Sequence, residues 1–365
     1  MIGKLASWFC PTPSNQDAPE SSNPIKAINA TSDRVRELKC RGIELRDCGS
    51  YDLAKQILLE ALNLTEKYSG LDLLQARVLH ELAYLEEVRG NARQAAELYH
   101  HCLALETRLC DDEGRGATLY QLAHLKDSQR QTEQALKLYE EALAAQRAAN
   151  DVSGQAASLH QLAHLTQREN VPAAIAYFEE LRRIDEASGD RQSQIAALHQ
   201  MGSLLKQQGN IDQALAVYRE SLALSELSEA HLSQASTLAQ IADIEKRQGK
   251  LSQAETTYRR SLVLLKRLDP SETQNQHAIV LHHLAAIRAD LGDVDGAIAL
   301  YQEALQYEGE LHGRAATLTA LGYLLVEEKQ WTGQGIAYLK QALELLEEIG
   351  STEADQVREI LKSVE

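Results

Sequence analysis

The stretch GATLYQLAHLKDSQRQTEQALKLYEEALAAQR, residues 116–147, decides the fold, because most of the chain repeats it with changes. Its first half carries leucines at three-residue steps from Leu119 to Leu125, with Ala123 beside them. Its second half, from Ala135 to Leu143, places apolar residues at the i, i+3/i+4, i+7 spacing of one buried helical face. A short polar turn separates the halves, so we predict two antiparallel helices in a hairpin.

This hairpin pattern occurs eight times. A small residue of the first helix returns at steps of 37 to 43 residues, and a second small residue follows it 11 to 13 residues later. The first set is Gly42, Ala83, Ala123, Ala163, Gly202, Ala242, Ala285 and Gly322, and the second is Ala54, Ala95, Ala135, Ala174, Ala214, Ala254, Ala297 and Gly335. Small residues suit a close helix crossing, where only Gly, Ala or Ser lets the backbones approach. Eight copies at a near-fixed period predict an all-α solenoid of stacked hairpins.

The predicted array covers residues 34–352, with repeats starting near positions 35, 76, 116, 156, 195, 235, 278 and 315. Residues 1–33, rich in Pro, Ser and Asn, are expected to be a flexible segment and linker. The opening MIGKLASWF could form a short apolar face or simply a frayed terminus, and both interpretations stay open. Residues 353–365 are apolar on one side and charged on the other, which predicts a helix that caps the last repeat.

Composition narrows the classes of partner. The 365 residues carry a formal net charge of -16, which argues against nucleic acid or an anionic membrane as the main partner. The charge would suit a basic or amphipathic protein segment, although a solvated acidic surface needs no partner. No apolar run approaches the roughly 20 residues that a membrane-spanning helix needs.

The cysteines indicate the compartment. Their number is odd, five, and none forms a C-x-x-C pair, so neither a disulfide framework nor a zinc knuckle is expected. Cys102 stands where other repeats have Ala142 or Ala304, a small buried helix position. Free thiols of this kind fit a reducing compartment, and we expect a cytoplasmic protein without cofactors.

Over residues 34 to 350 the pattern resembles the tetratricopeptide repeat (TPR) family. The small residues near positions 8, 20 and 27 of that motif are Ala123, Ala135 and Ala142 here, and the aromatic residue near position 24 is Tyr139. The family's proline near position 32 is Arg147 instead, and the repeat is about six residues longer than the usual 34. The longer repeats look like those of kinesin light chain and Pins-type adaptors. This resemblance implies a right-handed superhelix whose concave groove, lined by first helices, binds peptides or helices of partners.

The first helices carry unusual side chains opposite the leucine stripe. At 100° per residue, Tyr120 and His124 face away from Leu119, Leu122 and Leu125, where an ordinary amphipathic helix has Lys and Glu. Equivalent positions hold His, Tyr and Gln from the second repeat onward. The candidate partner-binding residues are His80, Tyr84, Tyr120, Gln121, His124, Asp127, His160, Gln161, His164, His199, Gln200 and Gln240.

Three interpretations of these rows remain open. They can form a peptide-binding strip, because imidazole, phenol and amide groups exchange hydrogen bonds and offer flat apolar surface. They can instead pack against one another between adjacent helices. His160 and His164, at i and i+4, could also share a metal ion if a neighbour completed the shell, although this signal is weak. The remaining histidines, His100, His101, His231, His277, His283 and His312, are expected at the surface.

The sequence contains no nucleotide-binding, nucleophile-elbow or metalloprotease motif, so no catalytic residue is predicted. The main hypothesis is a non-enzymatic adaptor that binds a protein segment in the groove. The alternative is a regulatory sensor that responds to a small peptide or a metal ion, as in bacterial regulators of aspartyl-phosphate phosphatases, although residues 1–33 are short for their extra helical bundle. Self-association is a further possibility.

Overall fold

The computed structural model describes residues 24–307, 310–328 and 332–364. These residues form seventeen helices and no strand. The helices are α1 (Pro24–Asp47), α2 (Tyr51–Lys67), α3 (Asp72–Val88), α4 (Ala92–Leu109), α5 (Asp112–Ser128), α6 (Thr132–Ala148), α7 (Val152–Thr166), α8 (Val171–Ser188), α9 (Arg191–Gln207), α10 (Ile211–Leu227), α11 (His231–Arg247), α12 (Leu251–Leu265), α13 (Pro270–Asp290), α14 (Val294–Tyr307), α15 (Leu311–Glu327), α16 (Thr332–Glu348) and α17 (Glu353–Val364). The predicted all-α solenoid is confirmed.

The chain divides into two compact units, Met1–Gly154 and Gln155–Glu365. Odd-numbered helices from α1 to α15 are the first helices of successive hairpins, and the even-numbered helices are the second. The backbones of α1, α3 and α5 approach one another in succession in the first unit, and those of α9, α11, α13 and α15 do so in the second. Over the described residues, successive second helices show no such approach. The first helices therefore form the tighter layer of each unit.

Two features concern the ends of the array. The last helix, α17, packs against α15 and α16 at the position predicted for the capping helix. At the other end, α1 begins at Pro24, so residues 24–33, expected to be linker, are helical. Proline is well tolerated in the first turn of a helix, and the Ile and Ala residues after it allow the helix to continue. The MIGKLASWF segment lies outside the described residues.

Each hairpin is built around a small residue packed against a large side chain. Ala123 of α5 and Tyr139 of α6 are both fully buried. Where the small residue is glycine, the two helices leave no room for a Cβ: one added to Gly202 would lie 2.7 Å from the Tyr218 ring. A Cβ added to Gly42 would lie 2.6 Å from Leu58. The recurring small residues are therefore required by the crossing distance of the two helices.

A small side chain at another repeated position of the second helix stabilises the hairpin by a hydrogen bond to the first helix. The Cys102 Sγ lies 3.0 Å from the backbone oxygen of Ala76 on the preceding helix. Ser221 and Ser261 donate the equivalent bonds, to the carbonyls 26 residues before them. Cys102 is fully buried, and burial raises the pKa of its thiol to about 12. This cysteine is therefore a structural hydrogen-bonding group.

A third repeated position holds buried polar side chains near the ends of second helices. Seven residues after the buried ring stand Glu106, Gln146, Asp185 and Ser225, all buried. Burial raises the pKa of both Glu106 and Asp185. Neither carboxylate oxygen of Glu106 has a good hydrogen-bond partner among the described residues. The ionised form of Glu106 is therefore disfavoured in the folded chain.

We expect Ala123→Leu to lower the free energy of unfolding by roughly 1–3 kcal/mol, because the added carbons overpack the contact with Tyr139. Urea unfolding followed by circular dichroism measures the change. Ala117→Leu on the exposed side of α5 is the matched control, with an expected change within about 0.5 kcal/mol. Equal effects of the two substitutions would contradict this account of the crossing.

Glu106→Gln places in α4 the residue that α6 carries as Gln146. Because folding raises the pKa of Glu106, its ionisation destabilises the fold as the pH rises above the pKa of an unfolded glutamate. The amide should therefore raise the free energy of unfolding at pH 7 by about 1 kcal/mol or more. The gain should shrink as the pH falls towards 4.5, the ordinary pKa of glutamate. Urea unfolding across this range tests the sign, with exposed Glu97→Gln as the control; a gain confined to low pH would contradict it.

Candidate functional site

The first-helix face of the first unit begins with His80 on α3. Its Nδ1 lies 3.1 Å from the Thr118 hydroxyl on α5. Its ring meets Tyr99 edge-on, with 5.6 Å between centroids. Burial lowers the pKa of His80 to about 4, so the ring is neutral at physiological pH. His80 therefore joins two neighbouring first helices and also packs on its own hairpin.

The same arrangement recurs at equivalent positions, three residues before the small residue of the first helix. Tyr120 meets Tyr139 edge-on at 5.3 Å, and in the second unit His199 meets Tyr218 at 5.6 Å. His282 meets Tyr301 at 5.4 Å, and its Nδ1 lies 2.8 Å from the Thr317 hydroxyl. Burial lowers the pKa of His199, and that of His282 to about 4. We call these residues the inner row: His80, Tyr120, His199 and His282.

A second set, one residue after the small residue, is more open. Tyr84 lies under the Arg46 guanidinium, 4.7 Å from its ring centroid, and Arg46 is paired with Glu81 at 2.8 Å. His124 is exposed, and its Nδ1 lies 3.1 Å from a carboxylate oxygen of Glu87. His164 is exposed on α7. We call Tyr84, His124 and His164 the outer row.

Glu87 links the outer-row residue His124 to the buried ring of Tyr99. One of its carboxylate oxygens faces His124, and the other accepts a hydrogen bond of 3.0 Å from the Tyr99 hydroxyl. Gln121 and Asp127, on the same side of α5, are half-buried. Amide, carboxylate, imidazole and phenol groups are thus presented together on α3 and α5.

In the second unit the predicted residues differ in their exposure and in whether they already bond to other parts of the protein. His160 holds the inner-row position of α7 but is exposed, Gln161 is half-buried, and Gln200 on α9 is exposed. Gln240 accepts a hydrogen bond of 2.5 Å from the Lys206 Nζ, which also pairs with Asp243 at 3.1 Å. Gln240 therefore belongs to a contact between α9 and α11.

The structure gives no specific support for a metal site at His160 and His164. Among the described residues, no group of three or more His, Cys, Asp and Glu side chains is arranged to hold an ion. His160 and His164 have no third candidate ligand in that part of the chain.

Three pockets open on the first-helix face of the second unit. One of about 270 Å³ lies between α9 and α11 and includes His199, Gln200 and Leu232. A second, of about 400 Å³, lies between α13 and α15. A third, of about 430 Å³, lies between α15 and α17. The two larger of these three pockets therefore lie near the carboxyl-terminal end, beyond most of the predicted residues.

The His and Tyr pattern of the first helices also extends to His282 and Tyr323, which line these last two pockets. Sequence reasoning missed Ile279, His283 and His312 of the same lining. His283, expected at the surface, is half-buried and stacked on Tyr258 at 5.5 Å. His277, also expected at the surface, is buried and stacked on Tyr307 at 4.8 Å. The 21 residues of α13 include an extra first turn, and its Thr273 hydroxyl lies 3.2 Å from the His277 Nδ1.

A family model of the tetratricopeptide repeat matches residues 74–148, 154–226 and 193–267, which together exceed half of the chain. The chain belongs to the tetratricopeptide repeat family. Members of this family are repeat scaffolds for interaction with proteins or peptides. None of the curated protein sequences matches this chain.

Solved structures share the fold. A signal transduction ATPase with a TPR sensor, from Pyrococcus horikoshii, is 13% identical, with a TM-score of 0.63 over 94% of this chain and 52% of its own. RapI in its apo form is 13% identical, with a TM-score of 0.58 over 90% of this chain and 97% of its own. A putative kinesin light chain of Podospora anserina is 20% identical, with a TM-score of 0.45 over 55% of this chain and 98% of its own.

A membrane span was not found: each described helix is too short or too polar to cross a bilayer.

His80→Tyr tests whether the inner row is structural, because Tyr120 already occupies this position in the next repeat. The folded pKa of His80, about 4, lies below the ordinary 6.5, so the unfolded chain takes up the proton first. Stability from this residue is present above pH 6.5 and is lost as the pH falls towards 4. The substitution should therefore reduce the loss of unfolding free energy between pH 7 and pH 4.5 by roughly 1–3 kcal/mol. Urea unfolding at both pH values measures it. His100→Tyr, exposed on α4, should leave the pH dependence unchanged; a change as large as that of His80→Tyr would refute the assignment.

Proposed function

We propose that the chain is a non-enzymatic adaptor that binds a protein or peptide segment along its first-helix face. The observation that carries this proposal is the exposure of His124, His160 and His164 on a face that a solvated helix would fill with Lys and Glu. The hairpin crossing uses none of these three side chains. A face that keeps aromatic and hydrogen-bonding groups open to solvent is suited to recognition.

The roles of the predicted residues differ. The inner row supplies a neutral, half-buried floor, because His80, Tyr120 and His199 pack against the ring of their own hairpin. Above that floor, Tyr84 offers a flat apolar ring. The amides of Gln121, Gln161 and Gln200 can each donate to and accept from a partner backbone, and Asp127 and the outer-row imidazoles supply further polar contacts. Each unit presents its own set of these groups.

Catalysis is a poorer explanation of the same residues. The groups with the largest pKa shifts are either packed against a ring, as His80 is, or enclosed in the hairpin, as Tyr99 is. The exposed imidazoles lie on an open surface, which does not exclude water from a reacting group. Binding a partner, by contrast, needs no enclosed site, and the exposed imidazole and amide groups of the first-helix face are sufficient for it.

The sensor alternative gains no specific support for a metal ion, because His160 and His164 lack a third ligand among the described residues. A sensor for a small peptide would use the same first-helix face. It is therefore a variant of the adaptor proposal.

A random dodecapeptide library displayed on phage and selected on the full chain tests the proposal. Affinities of the enriched peptides are then measured by fluorescence polarisation. Peptides that contact the predicted residues should bind at least tenfold more weakly, or by about 1.4 kcal/mol, to either Gln121→Ala/His124→Ala in the first unit or His160→Ala/His164→Ala in the second.

The matched control is His100→Ala/His101→Ala, which removes two exposed histidines from a second helix. Its peptide affinities should stay within twofold of wild type, and all variants should keep the wild-type helicity. If every enriched peptide binds both first-helix variants normally, the predicted residues of α5 and α7 are not a binding surface.

A further inference from the structure

A continuous groove crosses α15 in the second unit. The pocket between α13 and α15 and the pocket between α15 and α17 share two lining residues, His282 and Ala316. The two pockets, of about 400 and 430 Å³, therefore adjoin over the outward side of α15. We call this surface the α15 groove.

Two side chains of α15, Thr319 and Ala320, are smaller than their equivalents in several other first helices, whereas Gly313 and Ala316 match Gly114 and Ala117 of α5. Ala320 occupies the position held by Gln121, Gln161 and Gln200 in earlier repeats. Gly313 lies in the wall between α13 and α15, and a Cβ added there would meet no atom within 4 Å. The space above α15 is therefore open.

Large apolar side chains stand exposed at both sides of the groove. Ile279, in the pocket next to α13, is 51% exposed, and Tyr323, in the pocket next to α17, is 50% exposed. Val357 and Ile360 of α17 complete the second pocket. Each side of α15 can thus receive an apolar side chain, which would gain about 25 cal/mol for each Å² of apolar surface buried.

Carboxylates supply the fixed charge of the groove, and one of them, Glu353, lies 3.9 Å from the Nε2 of the lining residue His312. The lining residues of the two pockets include Glu310 and Glu353 and contain no lysine or arginine. Burial lowers the pKa of His282 and His283, so these rings add no positive charge at neutral pH. A partner with lysine or arginine next to its apolar side chains complements this surface.

The polar lining favours an extended backbone over a helix. Asn275 places a carboxamide in the first pocket and Gln356 places one in the second. The second also holds the Thr319 hydroxyl, which donates to the Ala315 carbonyl and can still accept a hydrogen bond. An extended chain has unpaired N–H and C=O groups that need such partners, whereas a helix pairs its own. Adjacent packed helices lie about 8–10 Å apart. An extended chain in the polyproline II conformation advances about 3.1 Å per residue and completes one turn every three residues. Side chains three residues apart therefore lie on the same face, about 9 Å apart, and reach the two pockets.

We propose that the α15 groove binds an extended peptide segment with two apolar side chains three residues apart and lysine or arginine beside them. This inference rests on the proposed function and names the class of partner for one part of the first-helix face. The α9–α11 pocket, by contrast, has an uncharged polar lining and shows no such preference.

The random dodecapeptide phage library is selected in parallel on the wild-type chain, on Ala316→Phe and on Glu310→Lys/Glu353→Lys. Peptides enriched on wild type should contain apolar residues three apart with lysine or arginine adjacent. Ala316→Phe should weaken the binding of synthetic copies at least tenfold, because the ring fills the point where the pockets meet. The charge reversal should weaken basic peptides at least tenfold and enrich acidic ones, and wild-type binding of basic peptides should fall with added salt.

Two matched controls separate the groove from general effects. Ala223→Phe adds the same ring to an exposed site of α10, and Glu179→Lys/Glu344→Lys makes the same change of charge on exposed sites of second helices. Both should bind the peptides within twofold of wild type. Thermal unfolding by circular dichroism verifies that every variant is folded. If the Ala316→Phe variant is unstable, the charge-reversal variant still tests the groove, because both of its substitutions are at exposed positions.

The outcomes distinguish the two proposals. If enriched peptides lose binding with His160→Ala/His164→Ala but not with Ala316→Phe or the charge reversal, the α15 groove is wrong and the first-helix face stands. If none of the first-helix and groove variants affects binding, both proposals fail. Enrichment of acidic peptides on wild type would overturn the partner class assigned to the groove.

Discussion

The close contact between a small residue of each first helix and a large buried side chain of its second helix determines much of this structure. At Gly202 the approach leaves no room for a single carbon beside the Tyr218 ring. Because the same contact recurs in every hairpin, the first helices of a unit present equivalent positions to solvent. The inner and outer rows are a consequence of this repetition: once one hairpin places His80 against Tyr99, the next places Tyr120 against Tyr139.

The sequence predicted the fold well because the period, the leucine stripe and the small residues are direct records of helix packing. It also predicted which side of the first helices faces away from the core. It could not separate the inner row from the outer row, since both lie roughly opposite the stripe at 100° per residue. Only the hairpin geometry decides that His80 touches a ring while His124 does not.

The pockets of the second unit escaped prediction for a different reason. Sequence reasoning searched for polar side chains that carry chemistry, whereas the open space above α15 arises where Thr319 and Ala320 replace the larger side chains of earlier repeats. From the sequence alone, a small residue on a first helix can equally be one that allows a close helix crossing or one that leaves a pocket open. The length of α13, with its histidines at 277, 282 and 283, depends on where the preceding loop ends, and periodicity does not fix that point.

The hydrogen bond between Cys102 and the carbonyl of Ala76 gives the first unit an internal reporter. Cys40, Cys48 and Cys110 are exposed, whereas Cys102 is enclosed by its own hairpin and its neighbours. A thiol-specific reagent reaches a buried sulfur only in molecules whose local structure has opened. The labelling rate of Cys102, compared with the rates of the three exposed thiols, therefore reports how often this hairpin opens in the native protein. No engineered cysteine is needed.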